Sequence, residues 1–246
     1  MDSSVYFSSL IAAAVYLAVG IRLFTLSRRT QGRPEYLLAL AYICTGVSYS
    51  LYELPLLFGM NQSWIQILPR IVYSIGVIPL LLFTRDVFRS DSRWANALVW
   101  AIALSLFAGV FFSMLNGDIE GLRVGSVWFW CDWVGYTAPY IWITAEALIA
   151  YRSARKRLRM GFCEPDVVNR FMLWALFGFL GSLASILIVP LYLEFAATQV
   201  WPSWGDYFAG GFEAAATAVL WFVFFPPAFY QRWVNRGAAA PADPAH

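Results

Sequence analysis

Residues 94–115 read Trp94-Ala-Asn-Ala-Leu-Val-Trp-Ala-Ile-Ala-Leu-Ser-Leu-Phe-Ala-Gly-Val-Phe-Phe-Ser-Met-Leu115, without one charged side chain. A run of this length crosses about 30 Å of hydrocarbon as a helix. Its apolar residues are continuous rather than alternating, so a β-barrel strand is not indicated. Arg85, Arg89 and Arg93 stand just before it. Six more segments of the same kind lie near residues 5–26, 35–58, 64–84, 126–151, 170–193 and 205–230. The whole chain of 246 residues is 60% hydrophobic and 13% charged. Water-soluble domains run about 45–50% apolar and about 25% charged. One soluble core cannot hide this much apolar surface, so the lipid bilayer is the expected partner.

Orientation follows from the basic residues. Apart from Arg70 and Arg123, every one of the 17 lysines and arginines follows the first, third, fifth or seventh segment. The ends of the odd helices therefore face the cytoplasm, and the N-terminus lies outside. The first segment opens on Met1-Asp2-Ser3-Ser4, with its positive charges behind it. That is the pattern of a retained span rather than a cleaved signal peptide. Trp64, Trp94, Trp128, Trp201, Trp204 and Trp233 fall at the predicted helix ends, where an indole straddles oil and water. The expected fold class is an all-α membrane protein of seven transmembrane helices. It forms a single domain over 1–236, with a cytoplasmic C-terminus and a disordered tail at 237–246. The short loops point to the inner (plasma) membrane of a bacterium.

The helix ends repeat a pattern. Segment three closes on Pro79, Phe83, Arg85, Val87 and Arg89, and segment seven on Pro226, Tyr230, Arg232, Val234 and Arg236, at identical spacing. Gly46, Ser50 and Pro55 in segment two match Gly181, Ser185 and Pro190 in segment six. Pro34-Glu35 and Pro165-Asp166 suit helix N-termini, where proline lacks no needed donor and an acid meets the dipole. These matches point to a parallel 3+1+3 repeat, with segment four as the joint. In helix count, orientation and this 3+1+3 plan, the chain resembles the small sugar transporters called SWEETs. The Pro-Gln pairs of the related PQ-loop proteins are missing; Leu54-Pro55-Leu56 and Val189-Pro190-Leu191 stand instead. A retinal pump of the usual kind is excluded, because the only lysine, Lys156, lies outside the seventh segment.

Ionisable residues at membrane depth are costly and are functional candidates by default. They are Glu53, Arg70, Asp132, Glu146 and Glu213. Glu53 and Arg70 lie at similar depth and are expected to pair. Asp132 is expected to be wet, and Glu146 to snorkel at a helix end. Glu213, among Gly210, Gly211 and three alanines, has room for a ligand beside it. The acids left unpaired would hold protons or offer a cation site. Trp130, Trp133 and Tyr140 share one helical face beside Asp132, where rings would cage a cation or stack on a ligand. Pro55, Pro79, Pro139, Pro190 and Pro226-Pro227 are expected to interrupt five helices.

No enzyme constellation is present. The one histidine is His246, and no Cys-x-x-Cys or Gly-x-Ser-x-Gly occurs. Cys44, Cys131 and Cys163 have no metal spacing, and no cofactor is expected. The net charge of +2 gives no reason to invoke nucleic acid. The reading is a small-molecule transporter or permease. The alternative is a seven-helix sensor that signals through a cytoplasmic protein docked on the basic loop 152–170.

Overall fold

The computed structural model describes residues 3–58, 63–116, 124–198 and 202–236. Among them no strand occurs. The helices are α1 (Ser3–Thr30), α2 (Arg33–Leu57), α3 (Ser63–Phe88), α4 (Arg93–Leu115), α5 (Val127–Arg159), α6 (Pro165–Thr198), α7 (Ser203–Phe224) and α8 (Ala228–Arg236). Five of them, α1 to α4 and α6, are long and apolar enough to cross a membrane, and the bent α7–α8 pair counts as a sixth if taken as one span. The chain is a multi-pass membrane protein. A helix is the natural state of such segments, because each closes its own backbone hydrogen bonds in oil.

The outer surface carries the same message. On α4, Trp100 is 71% exposed and Leu104 is 72% exposed. Phe111 extends this face of α4, and Ile11, Ile149, Ile186 and Leu193 continue the apolar surface on other helices. In water this surface would drive aggregation; in lipid it is solvated.

Inside, α1 packs on α2 and α2 on α3; α5 packs on α6 and α6 on α7. The α4 helix lies against α3 and α5, and α7 closes back onto α1. One buried cluster joins Val19, Leu38, Tyr42, Leu80, Ile143, Phe177 and Leu220, taken from α1, α2, α3, α5, α6 and α7. A second joins Val77, Leu81, Val99, Ile102, Leu106 and Trp142 across α3, α4 and α5. Close approach of backbones supports this packing, as at Gly109 of α4. A Cβ added there would lie 2.5 Å from the backbone nitrogen of Asp132 on α5.

Three boundaries differ from the sequence expectation. The basic stretch from Arg152 is not a loop: α5 continues as helix to Arg159. It ends in a Schellman turn, in which Gly161 adopts φ 76°. There the Phe162 amide donates to the Arg157 carbonyl at 2.9 Å and the Gly161 amide to Leu158 at 3.0 Å. The α6 helix then starts at Pro165, so Arg170 is helical as well. Prolines Pro55, Pro79, Pro139 and Pro190 lie inside unbroken helices. Only Pro226-Pro227 breaks one: α7 stops at Phe224, and the chain bends by 76° into α8. The seventh segment is therefore not one helix to residue 230. The matched ends of segments three and seven also differ, since α3 continues as helix past Pro79 to Phe88. Two adjacent prolines remove two donors, and the residue before them is pushed out of the α region. Phe225 accordingly sits at φ −130°, ψ 53°. The tail 237–246 lies outside the described residues.

Candidate functional site

A cavity lies between the first three helices and the last three. Its volume is about 220 Å³. Tyr16 of α1, Tyr49 of α2, Tyr73 of α3 and Tyr140 of α5 each contribute a ring to its wall. From α6 come Phe177, Gly181, Ala184 and Ser185, and from α7 come Phe208, Phe212 and Ala216. Each tyrosine is placed by an ordinary apolar helix, so its ring packs and its hydroxyl must find a polar neighbour. The hydroxyls of Tyr73 and Tyr140 bond to each other at 2.8 Å. A crevice of about 10 Å³ continues from the cavity between α2 and α3, sharing Tyr16, Tyr73, Tyr140 and Phe177. The Tyr42 ring lines that crevice. Its buried hydroxyl has no hydrogen-bond partner among the described residues.

A polar seam joins this cavity to a buried ion pair. Arg70 of α3 is paired with Asp132 of α5. Tyr136 stands one helical turn along α5 from Asp132. The Tyr136 hydroxyl lies 3.2 Å from Ser74, whose own hydroxyl donates to the Arg70 carbonyl at 2.7 Å. The Tyr136 ring meets Tyr73 edge-on, with centroids 5.0 Å apart. The expected Glu53–Arg70 pair is thus replaced. Arg70 faces α5, and Glu53 is hydrogen-bonded by Ser9 of α1. Asp132 is buried, not wet. Its other oxygen, Oδ1, is buried and has no partner among the described residues.

Glu146 does not snorkel either. It is buried, and Arg89 of α3 donates to it at 2.8 Å. The Trp142 indole N–H donates to the same oxygen at 3.3 Å. Nearby, Asp86 of α3 is held by Arg33 of α2 at 3.1 Å and by the Arg85 Nε at 2.7 Å. Arg85 also reaches Asn96 of α4 at 2.7 Å. The α3 helix is therefore tied to α5 by ion pairs at two levels, and to α2 and α4 at one end. Asp132 and Glu146 are each matched with an arginine, since an unpaired ion in lipid is far more costly.

The tryptophans go elsewhere. The Trp133 N–H donates to the Ser185 carbonyl of α6 at 2.7 Å, and that of Trp130 to the Val124 carbonyl at 3.0 Å. Their rings meet edge-on at 5.7 Å. Of the three rings expected on one face, Tyr140 alone lines the cavity. The backbone of Glu213 lies in α7, one residue beyond Phe212, while its side chain lies outside the described residues. Tyr16, Tyr49 and Tyr73 were not singled out by the sequence reading. The available signal was a tyrosine in the middle of each of the first three apolar segments, where a hydroxyl needs a partner that lipid cannot supply. No described group of histidine, cysteine or acidic residues is arranged to hold a metal ion.

The arrangement offers stacking surfaces and hydrogen-bonding hydroxyls. A cavity of ~150 Å³ accommodates benzene, so this one suits a molecule of roughly that size or somewhat larger. No protein family, curated protein or solved structure matches the chain.

Proposed function

We propose that the chain is a seven-pass permease for a small ring-bearing molecule bound in the tyrosine-lined cavity. The observation that carries this reading is the position of the cavity between α1–α3 and α5–α7, where relative motion of two halves would open it to either side. Counting α5 as a span and α7 as the last gives seven crossings of a positive-inside membrane, the inner (plasma) membrane, in one domain. The N-terminus is then outside and the C-terminus cytoplasmic. The packing order supports the 3+1+3 plan: each three-helix group packs in chain order, and α4 bridges them. The sequence-matched glycines occupy comparable places, Gly46 against Leu17 of α1 and Gly181 against Tyr140 of α5. Asp132 and Glu146 are engaged by arginines, which leaves Glu53 and Glu213 as the acids to test for coupling or for a cationic ligand, Glu213 first because α7 borders the cavity.

A second reading is favoured by one observation, the mostly apolar wall. A ligand that suits such a wall also crosses lipid unaided, and its binding protein serves better as a sensor. That reading uses the basic end of α5 as the docking surface for a cytoplasmic protein. A proteoliposome flux screen separates the two. It uses labelled neutral, cationic and anionic solutes of benzene size and somewhat larger. A permease carries one class above protein-free vesicles, loses that flux in Ala184→Phe, and responds to Glu213→Gln only for cationic or proton-coupled solutes. Background flux for every solute, with retained binding, supports the sensor.

A further inference from the structure

The α7–α8 break leaves an aromatic surface that the permease reading does not use. The 22 residues of α7 extend about 33 Å, enough to cross the hydrocarbon core. The chain then bends by 76°, so α8 runs nearly in the membrane plane if α7 stands near the normal. One edge of α8 is seated on the bundle. The Tyr230 hydroxyl donates to Asn169 of α6 at 2.8 Å, and its ring packs on Phe222 at 4.9 Å. The neighbouring strip is uncovered: Phe229 is 63% exposed and Trp233 is 67% exposed, four residues apart on one face. Arg232 lies beside this strip and is exposed. Two further exposed arginines belong to the same region. Arg170 follows Asn169 on α6, and Arg22 of α1 lies over the Phe225 ring at the break, 4.3 Å from its centroid.

We propose that α8 is a membrane-surface helix whose Phe229–Trp233 pair and flanking arginines bind anionic phospholipid. An exposed indole and phenyl pair beside guanidinium groups matches the boundary between acyl chains and phosphate headgroups. The arginines select lipids of negative charge, and the rings fix the helix at headgroup depth. The seat on α6 and Phe222 then couples the lipid surface to α7, whose earlier residues Phe208, Phe212 and Ala216 line the cavity. The proposal rests on α7 being a span but not on transport, and its test reads no flux.

The test uses the full-length chain in nanodiscs of phosphatidylcholine alone, or mixed with phosphatidylglycerol. It follows hydrogen–deuterium exchange of the 228–236 amides, with α7 amides as the internal reference. Wild-type α8 is expected to exchange about fivefold more slowly in the anionic discs, the factor for roughly one arginine at such a surface. Arg232→Glu is expected to cut that difference to about twofold or less. Phe229→Ser with Trp233→Ser is expected to speed α8 exchange in the anionic discs while α7 is unchanged, because Tyr230 keeps its seat. Equal wild-type α8 exchange in the two lipids overturns the proposal and assigns the aromatic pair to a protein partner or to a re-entrant position. A lipid difference that survives Arg232→Glu in full overturns it as well.

Discussion

Replacing Asp132 by asparagine would leave Arg70 charged and without its counterion between α3 and α5. The Asp132 side chain is 4% exposed and that of Arg70 is 21% exposed. Removing one partner of a buried pair costs about 3–5 kcal/mol. The partial exposure of Arg70 lets its guanidinium find some water or headgroup oxygen, which places the expected cost near ~3 kcal/mol, a factor of roughly 150 in the folding equilibrium. The double variant Asp132→Asn, Arg70→Gln removes both charges. It should therefore be destabilised by about 2 kcal/mol less than the sum of its single variants. The assay is the unfolding free energy in mixed micelles, completed as a double-mutant cycle. Glu53→Gln combined with Arg70→Gln serves as the control and should be additive within about 0.5 kcal/mol. Coupling between Glu53 and Arg70, with none between Asp132 and Arg70, would refute the assignment of the pair and the facing of α3 toward α5.

Other expectations come from backbone geometry and from the cavity wall. Gly109→Ala drives a Cβ against the α5 backbone near Asp132, which cannot yield as a side-chain end would. A loss of about 1–3 kcal/mol is expected, and calorimetric or denaturant unfolding in micelles measures it. Gly161→Ala meets no steric neighbour but must hold φ 76°. It should cost about 1–2 kcal/mol and fray the end of α5, seen as faster amide exchange at Leu158–Phe162. Tyr73→Phe keeps the ring and removes the hydroxyl bonded to Tyr140. It should lower stability by about 1 kcal/mol and weaken binding of any hydrogen-bonding solute found in the flux screen, while equilibrium binding of a purely apolar solute stays unchanged.

Spans were legible in the sequence because they are encoded locally. The uncharged run 94–115 coincides with α4 (Arg93–Leu115) to within one residue. Pro34-Glu35 and Pro165-Asp166 stand in the first turns of α2 and α6. The break after Phe224 was written as Pro226-Pro227, but the matched spacing with Pro79 concealed it. A single proline removes one donor, which a helix tolerates among packed neighbours, whereas two in succession do not leave enough of a turn. The ion pairs were not legible for a different reason. Counting residues from a helix end gives depth but not azimuth. Glu53 and Arg70 share a depth, yet the face of α3 that carries Arg70, Tyr73 and Ser74 looks toward α5. Glu146 is separated from Arg89 by 57 positions, and no local period links them. The cavity is likewise a property of convergence, since its tyrosines stand on four different helices.

Membrane crossing itself is best tested at the two termini in living cells. One reporter is fused before Met1 and another after His246, one active only outside the cytoplasm and one only within it. Seven crossings require signal from the N-terminal fusion outside and from the C-terminal fusion inside, each with its counterpart silent. Signal from both fusions in the same compartment means an even number of crossings, and contradicts both the seven-pass arrangement and the cavity's place between its two halves.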